Sequence, residues 1–131
     1  MEDVIDVILR DFSGEIEHGQ GATAEEIADC ESDLGVRFIG SFAQYLRRYG
    51  WLTVGSSELY GLGASLESWR RLKDMTLSER TEMHPPLPPH LVTFYNDGFG
   101  NQHCPDTSVV IDNEHRIVFG TTKQAPLGFR K

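Results

Sequence analysis

The sequence predicts an α+β fold in a single domain, with N-terminal helices packed on a mostly antiparallel sheet. Three observations lead there. The chain has 131 residues, the usual size of one domain. Apolar residues recur at helical spacing through the first half and as short β-branched and aromatic runs through the second. Hydrophobic residues make up 39% of the chain, which is no disordered composition, and no apolar run approaches the about 20 residues of a membrane span.

Each element can be justified in order. Glu2–Phe12 reads as a helix, with Val4, Ile8 and Phe12 at four-residue spacing. Ser13-Gly14 stops it, and His18-Gly19-Gln20-Gly21 reads as a loop. A second helix starts at Thr23, where Thr23 and Glu26 fit a capping box. Its apolar stripe is Ile27, Cys30 and Leu34, and Gly35 supplies a left-handed end. A third helix spans Ser41–Tyr49. Its stripe of Phe42, Tyr45, Leu46 and Tyr49 is the best amphipathic match in the chain, and Gly50 ends it.

The period then changes. Trp51–Val54 and Glu58–Leu62 read as short strands around Gly55-Ser56-Ser57. Leu66–Met75 returns to helix, with Leu66, Trp69 and Leu72 expected inside. Thr76–His90 carries four prolines and is expected to run extended. Leu91–Tyr95 is the strongest strand signal, and Asn96-Asp97-Gly98 is turn chemistry. Gln102–Cys104, Thr107–Ile111 and Arg116–Phe119 complete an antiparallel meander, with Asp112-Asn113-Glu114 as its second turn. The domain is expected over 1–119, with 120–131 as an irregular tail.

The formal net charge is −8. Residues 1–33 hold eleven acids and one base, a net −10, whereas the remaining 98 residues sum to +2. Direct nucleic-acid binding is not expected, because phosphates need a basic footprint. A basic protein partner is compatible with this balance. The start, Met1-Glu2-Asp3, lacks the basic stretch of a secretory signal, and two cysteines make no disulfide scaffold. A cytoplasmic protein is the expectation.

Candidate chemistry is sparse. His103-Cys104 with Asp106 is the one close cluster of ligand types, but no CxxC or HxxxH spacing accompanies it. No third residue marks Cys104 as an oriented nucleophile. The Asn96–Asn101 run lacks the lysine of a phosphate loop. Arg70, Arg71, Lys73 and Arg80 form a basic patch near Trp69, read as a solvated face beside a core tryptophan. Glu58 and Glu67 read as solvated. No catalytic residue, metal or cofactor is expected.

The ordered residues do resemble a known family. They run Leu34-Gly35-Val36, Ser41-Phe42, Tyr45-Leu46, Tyr49-Gly50-Trp51, Glu58-Leu59-Tyr60-Gly61-Leu62-Gly63 and Arg80. Leu91-Val92, Asn96–Asn101, Cys104, Asp106-Thr107-Ser108 and Arg116–Phe119 follow. The set resembles the SUKH superfamily, the domain shared by the yeast cell-wall assembly regulator, the bacterial Syd protein and many bacterial immunity proteins. The resemblance implies a non-catalytic domain that binds and neutralises a cognate protein toxin, often a nuclease. A nuclease must be basic to hold phosphates, so an acidic inhibitor fits it. Glu25, Glu26, Asp29 and Asp33 are the expected toxin-binding residues.

Under the same resemblance Gly35 and Gly50 end helices, Gly61 and Gly98 make turns, Asn96 belongs to the second of those turns, and Trp51 fills the core. A scaffold or regulatory module acting on a host protein is the alternative; a small hydrolase or metalloenzyme would rest on His103, Cys104 and Asp106 alone. Two departures stand out. Ile39-Gly40 replaces the usual prolines, which is expected to loosen the helix entry by about 0.5–1 kcal/mol. No C-terminal helix is expected after residue 119.

Overall fold

The computed structural model describes residues 16–55, 57–63, 66–82, 86–96, 101–121 and 129–130. The helix expected at Glu2–Phe12, and Asp97 and Gly98 of the expected turn, lie outside the described residues. Within them, three α-helices pack with one antiparallel sheet of seven strands. The strands are β1 (Ile16–His18), β2 (Leu52–Val54), β3 (Ser57–Leu59), β4 (Tyr95–Asn96), β5 (Asn101–Ile111), β6 (Glu114–Thr121) and β7 (Phe129–Arg130). Each pairs only with its sequence neighbours, so the sheet is a meander. The α+β class follows from this arrangement.

Helix α1 spans Ala24–Leu34. Its start is local chemistry: Thr23 Oγ1 accepts from Glu26 N–H, and Glu26 Oε1 accepts from Thr23 N–H at 2.9 Å. Gly35, at φ 70°, closes it with a left-handed residue. Ile27, Cys30 and Leu34 are buried, as the stripe predicted. Helix α2 spans Gly40–Arg48 and buries Phe42, Ala43, Tyr45 and Leu46. These side chains form one core with Leu52 and Val54 of β2, Leu59 of β3, and Val92 and Phe94. Tyr45 is buried with its hydroxyl satisfied, donating to the Tyr60 carbonyl at 2.7 Å. A smaller cluster of Leu87, Leu91, Cys104 and Val118 continues the core under the long hairpin.

Gly40 meets a specific steric requirement at the entry to α2. It sits at φ 61°, where a Cβ is strained, and an added Cβ would lie 2.5 Å from the Asn113 carbonyl oxygen. The tip of the β5–β6 hairpin docks there. Glu114 Oε1 accepts from Ser41 N–H at 2.8 Å, supplying the acceptor that Ile39, as N-cap, cannot. Buried His115 ties down the preceding loop. Its Nδ1 lies 3.1 Å from Val109 O, and its Nε2 lies 3.0 Å from Arg37 O and 3.3 Å from Ile39 N.

Several expectations are corrected. Leu66–Met75 is not one helix: Ser68–Arg70 forms a single 3₁₀ turn, Arg71 is extended, and α3 spans Leu72–Thr81. The break arises because Arg71 bridges Gly61 and its backbone follows that pairing. Trp69 consequently points outward and is 55% exposed. Residues 76–81 are helical, not extended, since the prolines begin only after α3 has ended. Of Leu91–Tyr95, only Tyr95 lies in a regular strand, while Leu91 forms an isolated bridge to Asp106. Phe94 still links its neighbours, donating N–H to His103 O and accepting from Tyr60 N–H.

The second half of the meander also differs. Strand β5 runs unbroken through Pro105, with a register shift between Asp106 and Ile111. Asp112 and Asn113, at φ 54° and 62°, form a two-residue turn, and Glu114, expected in that turn, already belongs to β6. His18 belongs to β1 rather than to a loop. Strand β6 extends to Thr121, and Phe129–Arg130 pairs with Phe119 and Gly120.

Candidate binding site

One turn after another, α1 places Glu26, Asp29, Cys30 and Asp33 on a single face, the i, i+3, i+4, i+7 pattern of a helix. Facing them are Leu62 and Gly63, and Arg71, Lys73 and Asp74 at the start of α3. Together they line an open cleft of about 250 Å³. Three of the four expected contact residues therefore share one surface. Glu25, one residue off that face, is exposed outside the cleft.

The acids are unequally engaged. Glu26 is held by the Thr23 N–H. Asp33 pairs across the cleft with Lys73 at 3.3 Å, both half-exposed. Asp29 is exposed and has no hydrogen-bond or ion-pair partner among the described residues. On the opposite wall Arg71 donates to the Leu66 carbonyl at 2.7 Å and stands 4.0 Å from Asp74. Two cations and one acid thus face three acids of α1. Cys30 sits at the base, its thiol pushed up to about 12 by burial and then by Asp33 and Glu31. It stays protonated and chemically quiet at neutral pH.

A second groove, about 370 Å³, lies between α1 and α2 and reverses the balance. Arg37 and Arg47 line it against Glu31, whose Oε2 accepts from Phe38 N–H at 2.7 Å.

The basic patch read at residues 70–80 is dispersed. Arg70 pairs with Glu58 at 3.1 Å, donates to Thr53 Oγ1 at 2.7 Å, and lies over the Trp51 ring at 4.7 Å. Trp51 does not fill the core; it is half-buried against Gly19 and Gly63. Arg80 donates to the carbonyls of Leu34, Pro89 and Leu91, stapling the end of α1 to the proline-bearing segment. Burial lowers its pKa from the ordinary value.

Cys104 and His103 are adjacent on β5 and so face opposite sides of the sheet. The Cys104 thiol is fully buried, and that burial pushes its pKa up. Asp106 is engaged by Ser108, whose N–H and hydroxyl donate at 3.0 and 2.6 Å. Among the described residues no group of His, Cys, Asp and Glu could hold a metal ion, and no helix is long and apolar enough to cross a membrane.

Of the expected fold-determining residues, Gly50 follows α2 at φ 75°. Gly61 makes a close backbone approach to Gly50 rather than a turn, and Asn96 is exposed at the end of β4. Sequence reasoning missed the second wall of the cleft. Arg71, Lys73 and Asp74 were visible as charges, but nothing local told that α3 would bring them to α1.

The family model described as SUKH_5, SMI1-KNR4 cell-wall, matches residues 1–122. No curated protein matches the chain.

Proposed function

The chain belongs to the SUKH_5 family, and from that premise we propose that it is an immunity protein. It binds a cognate protein toxin and neutralises it by occupying its surface, without chemistry of its own. The toxin is basic, in keeping with a nuclease that must hold phosphate. The observation that carries this reading is the acidic face of α1, where Glu26, Asp29 and Asp33 line one open cleft. Acids in an exposed concave wall raise the encounter rate of a basic partner more than they raise final affinity. A cleft walled by helix and loop, with its central thiol protonated, suits that use.

The test is co-expression with the product of the adjacent gene, scoring growth rescue and complex formation. Charge reversal at Glu25, Glu26, Asp29 and Asp33 is expected to abolish protection. Glu26 and Asp33 also serve the fold, so the pair Glu25→Lys with Asp29→Lys is the cleaner variant. It is expected to weaken the complex at least about tenfold, equivalent to about 1.4 kcal/mol. Unchanged protection by a folded double variant would move the interface elsewhere.

The family description itself, which names cell-wall proteins, favours a second reading. In it the domain is a scaffold or regulatory module acting on a host protein. A toxin gene immediately upstream separates the first reading from the second.

A further inference from the structure

We propose that Trp69 is the aromatic anchor of the docking surface and seats a cationic side chain, arginine above all, from a basic protein partner. The proposal rests on the reading of a basic partner and names where that partner's cation is held.

Trp69 is 55% exposed, the one aromatic among the exposed large hydrophobics of the described residues. Exposed tryptophans are uncommon in monomeric surfaces and enriched where partners bind. This one stands on a rigid base. The Arg70 guanidinium lies 5.9 Å from the Trp69 ring and 4.7 Å from the Trp51 ring. Glu58 and Thr53 fix Arg70 from below, leaving its side chain only 11% exposed. A base held this way loses little entropy when a partner settles on it.

The charges around the indole decide what it fits. The nearby cations each stand beside an acid: Arg70 beside Glu58, Arg71 beside Asp74 at 4.0 Å, Lys73 beside Asp33. The Glu67 carboxylate, two residues before Trp69, is exposed and without a partner among the described residues. An indole whose neighbouring cations are each matched by an acid, with an unmatched carboxylate two residues away in sequence, suits a guanidinium or ammonium group rather than a phosphate. The net charge of −8 agrees in sign. The platform also continues the acidic cleft. Gly63 and Arg71 line that cleft, Gly63 lies against Trp51, and Arg71 follows Trp69 by two residues.

The experiment is an NMR titration of the full ¹⁵N-labelled chain with a hexa-arginine peptide, with hexaglutamate as control. The chain has two tryptophans, so Trp69→Phe assigns the two indole N–H resonances. Hexa-arginine is expected to move the Trp69 indole resonance and the amides of residues 67–71. Trp69→Ala is expected to weaken that binding about 2- to 5-fold. Its spectrum reports folding in the same measurement. Shifts confined to the amides of α1 would overturn the Trp69 proposal and leave the acidic cleft as the basic-partner surface. Shifts of Trp69 with hexaglutamate would overturn it in favour of an anion. No shift anywhere would overturn both this proposal and the basic-partner reading beneath it.

Discussion

Replacing Gly61 with alanine tests how closely two backbone segments are fitted together. A Cβ at Gly61 would fall inside the van der Waals envelope of the Gly50 carbonyl oxygen, 2.8 Å from Gly50 C and 2.9 Å from Trp51 Cα. The obstacle is backbone, so no side chain can rotate away. Gly61 itself is pinned, its N–H donating to Arg70 O at 3.0 Å and its carbonyl accepting from Leu72 N–H at 2.9 Å. Leu62 N–H donates to the same Gly50 carbonyl at 2.9 Å. Relief requires the two segments to separate, which strains the core by about 1–3 kcal/mol. Separation also breaks a part-buried hydrogen bond, adding about 0.5–1.5 kcal/mol. The sum is about 3 kcal/mol, or a fall of about 10 °C in Tm for a domain of this size. Urea and thermal unfolding by circular dichroism measure it. Gly35→Ala is the control, because Gly35 is at φ 70° with nothing within 4 Å of an added Cβ. It is expected to cost only about 1 kcal/mol, the strain of one left-handed alanine. A Gly61→Ala cost at or below that of Gly35→Ala would refute the close-approach argument.

Two further outcomes are expected. Glu114→Gln keeps an oxygen for Ser41 N–H but removes the charge at the start of α2, costing about 0.3–1 kcal/mol, whereas Glu114→Ala loses the cap as well and costs about 1–2 kcal/mol in urea unfolding. Equal stability of both variants and the parent would show that the hairpin does not cap the helix. The second concerns pH. The buried Cys30 thiol is raised from 9.0 to about 12, and the unfolded chain ionises it at its ordinary value. The stability this contributes is complete below pH 9 and is lost as pH rises from there toward 12, at up to about 1.4 kcal/mol per pH unit. Urea midpoints measured between pH 8 and pH 10 should fall, and Cys30→Ala should reduce that slope without abolishing it, because the buried Cys104 thiol is raised in the same direction.

What could be read from the sequence was what neighbouring residues decide among themselves. The start of α1 was legible because Thr23 and Glu26 satisfy each other within one turn, and its end because Gly35 needs no partner to adopt positive φ. The α2 stripe was legible from its period alone. The failures share one cause. Trp69 has the spacing of a core residue between Leu66 and Leu72, but the Gly61–Arg71 bridge sets the backbone before α3 and turns the indole out. Gly40 looks like a weakened helix start until the hairpin tip, more than 70 residues along the chain, is seen to occupy the space of its Cβ. The four acids chosen by sequence stand on one helix, and helical geometry accounts for three of them sharing a face. The opposite wall of that cleft depends on α1 packing beside α3, which no local pattern encodes.

On the proposed reading, the acidity of α1 serves two purposes that the same carboxylates can share. Glu26 and Glu31 accept backbone N–H groups, at Thr23 and Phe38, and so hold the ends of α1 and the loop after it. A hydrogen bond from an amide leaves the carboxylate charged. Among the described residues only Asp33 forms an ion pair, with Lys73, and that pair is half-exposed and therefore weak. The helix holds no base in its last turn to offset the rest. Successive turns are about 5.4 Å apart and the screening length at physiological salt is about 8 Å, so an approaching cation feels neighbouring acids together. The fold thus uses some of these carboxylates without removing them from the field that a partner meets. Asp29, without a partner among the described residues, would add to the field of the structural acids on either side of it. For this reason the acids that matter for encounter cannot be sorted from those that matter for stability by position alone. Unfolding measurements register Glu26 and Glu31, whereas the salt dependence of association registers all of them.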